Sequence, residues 1–236
     1  MIFKKDFAWG AATASYQNEG GMNADGKGLS IWDVFTHEKG RVADGTNGDV
    51  ACDQYHRIEE DIDIMKELSM NAYRFSLSWP RIMPEGNGQV NEKGLDFYDR
   101  MVDSLLERGI TPYITLFHWD LPYELYLKGG WLNPDMPEWF AEYTLAVMNR
   151  LSDRVDHWIT QNEPQCYIGS GMASGIHAPG LKMNKKDCLQ AAHNSLLAHG
   201  RSIQAIRAEA RKTPVIGYAP AAWWLWSPVS GGAAGR

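Results

Sequence analysis

One stretch decides the fold of this chain: His157-Trp158-Ile159-Thr160-Gln161-Asn162-Glu163-Pro164. Its apolar, β-branched first half favours a strand, and the run stops at an amide, a carboxylate and a proline. Pro164 lacks a backbone donor and pushes Glu163 towards extended geometry, so we expect the carboxylate at the strand's carboxyl end. In α/β folds the chemistry lies at that end. Glu163 is therefore a candidate general acid, with Asn162 beside it to hold a substrate hydroxyl; the alternative is a solvated loop glutamate next to a turn proline.

Four further segments have strand patterns: 7–13, 72–78, 111–117 and 215–219. Between the strands, apolar residues recur at helical spacing, in stretches that start near residues 55, 95, 140 and 184. Strands separated by helices of crossover length predict a parallel sheet with helices outside it. The sequence thus predicts an α/β fold of about five strands and four helices, with residues 1–236 in a single domain.

Polar residues stand in or just after several of these strands, namely Gln17, Arg74, His118, and Asn162 with Glu163. That distribution is the one expected for the active face of a (β/α)8 TIM barrel, so we predict a partial barrel. A doubly wound sheet is the alternative. It is disfavoured because no GxGxxG or GxxxxGK motif follows strand one and because polar ends are not confined to one switch point.

Three local features carry more specific expectations. The Gly-, Asp- and Asn-rich stretch up to Asp49 predicts a long ordered loop that serves a site. Arg74, inside a parallel strand, should be buried and should need an anionic partner or a structural ion pair. Asn184 is expected to cap the last helix, with a buried stripe that consists of Leu189, Ala192, Leu196, Ile203 and Ile206.

Composition excludes several classes of protein. The net charge is −6 and the basic residues are dispersed, so neither nucleic acid nor an anionic membrane is expected as a partner. The amino terminus is interrupted by charge and no apolar run is of membrane-spanning length, which predicts a cytoplasmic protein. Three widely spaced cysteines fit a reducing compartment, and seven histidines fall in no zinc-binding spacing, so no metal or cofactor is expected.

Five motifs occur in a fixed order: residues 7–17, 73–81, 118–122, 162–164 and 177–180. With them the chain resembles glycoside hydrolase family 1, the β-glucosidase and 6-phospho-β-glycosidase family, over nearly its whole length. The resemblance implies a retaining β-glycosidase, most often a β-glucosidase, that hydrolyses terminal β-linked sugars on a (β/α)8 barrel.

The resemblance also implies roles for single residues. Glu163 would be the acid/base, and Asn162 would bind the sugar 2-hydroxyl. Gln17 and His118 would bind outer sugar hydroxyls, and Trp119 would shape the glycone pocket.

The resemblance also bears on three further positions. Arg74 would lie beside the catalytic nucleophile. Asn18 and Gln161 stand where hydrophobic residues are expected in the family, which bears on local packing and not on the roles of the site residues.

The chain lacks one motif that the family implies. The nucleophile is a glutamate in a Glu-Asn-Gly motif, family members are about twice as long, and no Glu-Asn-Gly occurs here. Retaining chemistry needs two carboxylates roughly 5–5.5 Å apart. We therefore expect the chain alone to be inactive, with a carboxyl-terminal half or self-association covering its open sheet edges.

Two alternatives remain open at this stage. One is a non-catalytic sugar-binding or folding-defective half barrel, and the other, within the same class, is a 6-phospho-β-glycosidase. Residues 229–236 are small and do not resemble the family's continuation, which predicts a disordered or non-native tail.

Overall fold

A computed structural model describes residues 3–4 and 6–221, which form one five-stranded sheet. Every neighbouring pair of strands is parallel and the spatial order is β1-β2-β3-β4-β5. The expected tail, 229–236, lies outside the described residues. The strands are β1 (Gly10–Ala12), β2 (Ala72–Ser76), β3 (Thr111–Phe117), β4 (His157–Asn162) and β5 (Val215–Ala219).

Helices fill every connection between the strands. In chain order they are α1 (Ser15–Asn18), α2 (Ile31–His37), α3 (Gln54–Glu67), α4 (Trp79–Ile82), α5 (Glu92–Glu107), α6 (Tyr123–Leu127), α7 (Met136–Leu151) and α8 (Lys185–Glu209).

Four of these, α3, α5, α7 and α8, are the long crossover helices, so the predicted partial barrel is confirmed. A doubly wound sheet would reverse its strand order at a switch point, and the sequential order therefore rules out that alternative. No helix of the described segments is long and apolar enough to cross a bilayer.

The hydrophobic core lies between the sheet and the crossover helices. The apolar stripe predicted for α5 is buried, from Leu95 to Leu105. Trp79 is fully buried and stacks on Tyr143 of α7, with ring centroids 4.9 Å apart. The Tyr143 hydroxyl donates to the Leu116 carbonyl at 2.9 Å, so its one polar group is satisfied inside the core.

The buried stripe predicted for α8 is only partly right: Ile206 is buried and Ala192 and Ile203 are half-buried, but the two leucines are exposed. Leu189 is 61 % exposed and Leu196 is 57 % exposed. The face that packs on α7 and the sheet is made of small and polar residues, because these allow a close approach and make hydrogen bonds across it. The buried residues of α8 are Ala191, Asn194, Ser195, Ala198, Ser202, Ala205 and Ile206.

The first Gly-rich stretch is not only a loop, because it contains α2. Ser30 caps this helix: its Oγ accepts from the Asp33 backbone N at 3.1 Å, and Asp33 Oδ2 accepts from the Ser30 backbone N at 2.6 Å. This reciprocal pair is a capping box. The spacing Ser30-x-x-Asp33 was the sequence signal for the helix. The segment that follows β4 likewise contains a π-helix, Cys166–Ala173.

A buried ion pair joins the end of α1 to α4. Arg81 Nε donates to Glu19 Oε2 at 3.0 Å, and both side chains are almost fully buried. Tyr98 donates to the other oxygen of Glu19 at 2.6 Å, and the Arg81 guanidinium lies 4.1 Å from the Tyr55 ring centroid. Buried charges are tolerated only with this density of partners, so the pair fixes α1 against the core.

We expect Arg81→Met to lower the free energy of unfolding by about 3–5 kcal/mol, because it leaves the Glu19 carboxylate buried without its counter-ion. Chemical denaturation followed by circular dichroism measures the change. The matched control is Arg57→Met, which removes a surface pair with Glu60 and should give no resolvable change. Equal losses for the two variants would contradict the prediction.

Candidate active site

Parallel pairing brings the predicted site residues to one edge of the sheet. Arg74 lies in β2, His118 and Trp119 follow β3, and Asn162 ends β4 with Glu163 directly after it. Since the carboxyl ends of parallel strands meet at the same edge, these side chains can contact one another. Arg74, His118, Trp119 and Asn162 do so, and we call them the Asn162 network.

Asn162 is the centre of this network. Arg74 Nη2 donates to Asn162 Oδ1 at 2.5 Å, and Asn162 Nδ2 lies 3.3 Å from His118 Nε2. A guanidinium can only donate, which fixes Oδ1 towards Arg74 and turns Nδ2 towards His118. An amide nitrogen also only donates, so Nε2 of His118 accepts and its ring proton resides on Nδ1. Arg74 thereby sets both the amide orientation and the imidazole tautomer.

Burial and, to a smaller extent, the positive charge of Arg74 together lower the pKa of His118 to about 4. The imidazole is therefore neutral near pH 7. Because Nε2 already accepts from Asn162, the Nδ1–H of the neutral imidazole remains as a donor, which suits a contact with a sugar hydroxyl oxygen.

Arg74 does not have the anionic partner that its sequence position predicted. Within residues 3–4 and 6–221 it forms no ion pair, and its Nε donates to Thr115 Oγ1 at 2.9 Å. Partial burial lowers the pKa of the guanidinium, and the charge of Glu163 opposes that shift. The half-buried cation is stabilised by an amide oxygen and a hydroxyl in place of a carboxylate.

Trp119 and Glu163 both have left-handed backbone conformations at strand ends, so the extended geometry predicted for Glu163 before Pro164 is wrong. The φ angle is 80° at Trp119 and 44° at Glu163, values that bulky L-residues adopt at a cost of order 1–3 kcal/mol. Hydrogen bonds hold both in place: Trp119 Nε1 donates to the Asn162 carbonyl at 2.9 Å, and the Glu163 N–H donates to the Ala219 carbonyl at 2.8 Å. Such strain at a strand end fits residues held for a function.

The Glu163 side chain is half-buried. Its Oε2 accepts a weak hydrogen bond from Cys166 Sγ at 3.4 Å, and burial together with this contact raises the pKa of the thiol. The structure therefore brings Glu163 to the same edge as the Asn162 network without joining it to that network directly.

Gln161, the polar departure from the family pattern, is fully buried and fully satisfied. Its Oε1 accepts from Ser195 Oγ at 2.9 Å and from the Tyr167 hydroxyl at 3.2 Å, and its Nε2 donates to the Ser195 carbonyl at 3.1 Å. Tyr167 belongs to the π-helix after Glu163, and Ser195 belongs to α8. Ser195 is thus one buried polar residue of α8 that satisfies the end of β4. The other two bond elsewhere: Asn194 donates to the Trp131 carbonyl, and Ser202 pairs with Thr144 of α7.

An aromatic cleft of about 450 Å³ opens beside the network. Gln17, which is exposed on α1, lines it together with His118 and Trp119. Trp32 and His177, to which the sequence assigned no role, also line it. The ring centroid of His177 lies 5.6 Å from that of Trp32 and 5.7 Å from that of Trp119. The described residues contain no group of three or more His, Cys, Asp or Glu that could hold a metal ion.

The fold and the site together define a class of protein: an α/β protein of the barrel type, with a polar site at the strand ends beside an aromatic cleft. The family model for glycosyl hydrolase family 1 matches residues 1–231. The chain belongs to glycosyl hydrolase family 1.

Two curated relatives agree with this family. The chain is 56 % identical over 207 residues to beta-glucosidase A of Acetivibrio thermocellus, an alignment that covers 88 % of this chain and 46 % of the relative. It is 44 % identical over 223 residues to an aryl-phospho-beta-D-glucosidase of Bacillus subtilis, covering 93 % of this chain and 46 % of the relative.

A solved structure also supports the fold. The beta-glucosidase from Thermotoga maritima in complex with glucoimidazole matches with a TM-score of 0.89 and 52 % identity, covering 92 % of this chain and 49 % of the other. The chain thus spans about half the length of the relatives it matches.

The depressed pKa of His118 predicts an acid-sensitive stability. Its ordinary pKa is 6.5 and its folded pKa is about 4, so the unfolded state takes up the proton first as the pH falls. The free energy of unfolding is therefore unaffected by His118 above about pH 6.5. It falls as the pH is lowered towards 4, by up to about 1.4 kcal/mol per pH unit. His118→Gln should remove that slope.

Denaturation curves between pH 4 and pH 7 for the wild type and His118→Gln test this expectation. His56→Gln, which changes an exposed imidazole, is the matched control. Parallel pH profiles for the wild type and His118→Gln would show that His118 does not carry the effect.

Proposed function

We propose that this chain supplies the acid/base and the sugar-binding part of a retaining β-glucosidase. The observation that carries the proposal is the Asn162 network, which orients an amide and a neutral imidazole next to Glu163 at the carboxyl edge of the sheet. Relatives named beta-glucosidase support the substrate class.

In this proposal Glu163 protonates the departing glycosidic oxygen and then activates water for the second step. Asn162 contacts the sugar 2-hydroxyl, since its amide is already oriented by Arg74. Gln17 and His118 bind outer hydroxyls from the cleft, and Trp119 offers its indole face to the apolar face of the ring.

A retaining mechanism needs a second carboxylate, and this sequence contains no Glu-Asn-Gly motif that would supply it. We propose that a carboxyl-terminal half supplies it and pairs with the open edges of the sheet. In the described part of the chain, β1 and β5 are each paired on one side only. Apolar side chains at Leu189, Leu196 and Val215 are exposed on α8 and β5, where further barrel units would cover them.

A 6-phospho-β-glycosidase is the second candidate, suggested by the relative from Bacillus subtilis. The described lining of the cleft carries no Lys or Arg, which a sugar phosphate would require as a partner. The part of the lining that this chain supplies therefore offers no charged partner for a phosphate, and the choice between the two sugars rests on the carboxyl-terminal half.

The remaining proposals concern the cellular context. All three cysteines, Cys52, Cys166 and Cys188, are free thiols, which supports a reducing, cytoplasmic setting. Relatives named beta-glucosidase support a role in carbohydrate metabolism. The single sheet and the continuous core support one domain over residues 1–236.

The 236-residue chain alone should release no measurable 4-nitrophenol from its β-glucoside, because only one of the two cooperating carboxylates is present. Adding a carboxyl-terminal half of a β-glucosidase should restore turnover. The assay is run on the chain, the added half and the mixture, and the mass of each species in solution is measured alongside. Ordinary turnover by a monomer of this chain would refute the division of labour.

In the mixture, Glu163→Ala should reduce turnover of alkyl β-glucosides by several orders of magnitude more than that of activated aryl β-glucosides. Only the poor leaving groups need a proton as they depart. Glu67→Ala, an exposed glutamate on α3, is the control and should leave both rates unchanged. Equal losses for the two substrate types would remove Glu163 from the role of acid.

A further inference from the structure

A small, partly enclosed cavity lies next to the aromatic cleft. Its volume is about 10 Å³, and it shares Tyr16 and Gly48 with the cleft lining. Residues from three segments meet around it: Ser15 in α1, Ser78 and Arg81 after β2, and Asp120 after β3. The cavity therefore lies where the supports of Gln17 and of Trp119 come together.

Three fully buried side chains on this cavity each have one unpartnered polar atom. Among residues 3–4 and 6–221, no hydrogen-bond partner reaches Ser78 Oγ, Arg81 Nη1 or Asp120 Oδ1. The three residues are at most 2 % exposed. A buried polar atom without a partner costs about 1–3 kcal/mol, and three around one cavity would be a heavy penalty.

We propose that this cavity binds one water molecule, which is shared by Ser78 Oγ, Arg81 Nη1 and Asp120 Oδ1. A buried water typically makes about three hydrogen bonds to otherwise unsatisfied groups, and it needs roughly 10–15 Å³ of such volume. Both the number of orphaned atoms and the size of the cavity match these requirements.

The donors and acceptors also match a single water. Ser15 Oγ donates to Asp120 Oδ2 at 2.7 Å, and burial raises the pKa of Asp120 to about 8, so near neutral pH the proton resides on the other oxygen. The water then accepts from Asp120 Oδ1 and from Arg81 Nη1, and it donates to Ser78 Oγ. Every orphaned atom gains a partner of the correct kind.

The charges around the cavity favour a neutral ligand over an ion. Arg81 pairs with Glu19 at 3.0 Å, and Lys27 pairs with Asp33 at 2.8 Å. With Asp120 protonated, the two cations and the two carboxylates balance. A bound cation would face the Arg81 guanidinium without a compensating charge, and a bound anion would face two carboxylates.

Ser78→Ala decides between a bound water and a dry cavity by the sign of its effect. If the hydroxyl holds the water, its loss should lower the melting temperature of the chain by about 2–4 °C. If the cavity is dry, the same change removes an orphaned buried hydroxyl and should raise the melting temperature or leave it unchanged. A rise or no change would overturn the proposal.

The matched control is Ser202→Ala, because the buried Ser202 hydroxyl has a partner in Thr144 Oγ1 at 3.0 Å. Its loss calibrates the fall expected for a satisfied serine. A crystal structure at about 1.5 Å resolution gives the second readout: density within about 3.2 Å of all three atoms supports the water. Absence of that density, or direct contact between the three groups, would refute it. Neither measurement depends on glycosidase activity.

Discussion

Parallel pairing of β1 to β5 is the constraint on which the rest of the structure depends. Because every strand runs in the same direction, each crossover must return along a helix, and every carboxyl end reaches the same edge. Residues that are far apart in sequence, such as Arg74 and Asn162, are thereby brought to 2.5 Å. The Asn162 network results from the pairing of the strands and not from any local motif.

Buried polar groups then convert this edge into a defined geometry. The Glu19–Arg81 pair anchors the end of α1, and the Ser15–Asp120 hydrogen bond ties the start of α1 to the strand end that carries Trp119. On the other side, Gln161 is held by α8 and by the π-helix. Each contact fixes a segment with a candidate sugar-binding or acid/base residue, so stability and site geometry share the same interactions.

The fold and most of the candidate site followed from local patterns. Strand runs such as 111–117 and the helical stripe of α5 were readable because burial of an apolar face leaves a period in the sequence. The stripe of α8 failed for a physical reason: its buried face serves Gln161 and α7, so it is polar and small. The sequence patterns did not predict helix α2, although the spacing of Ser30 and Asp33 is typical of a capping box.

The sequence by itself determined the alternation of strands and helices, the strand-end position of Glu163, and the family to which its motifs pointed. Local propensity and periodicity are enough for these, because they act over a few neighbouring residues. Only the tertiary structure decided that Arg74 is bound by an amide and a hydroxyl, that His118 is neutral, and that Trp32 and His177 complete the cleft. Those properties arise from desolvation and from contacts between distant segments, which exist only after the chain has packed.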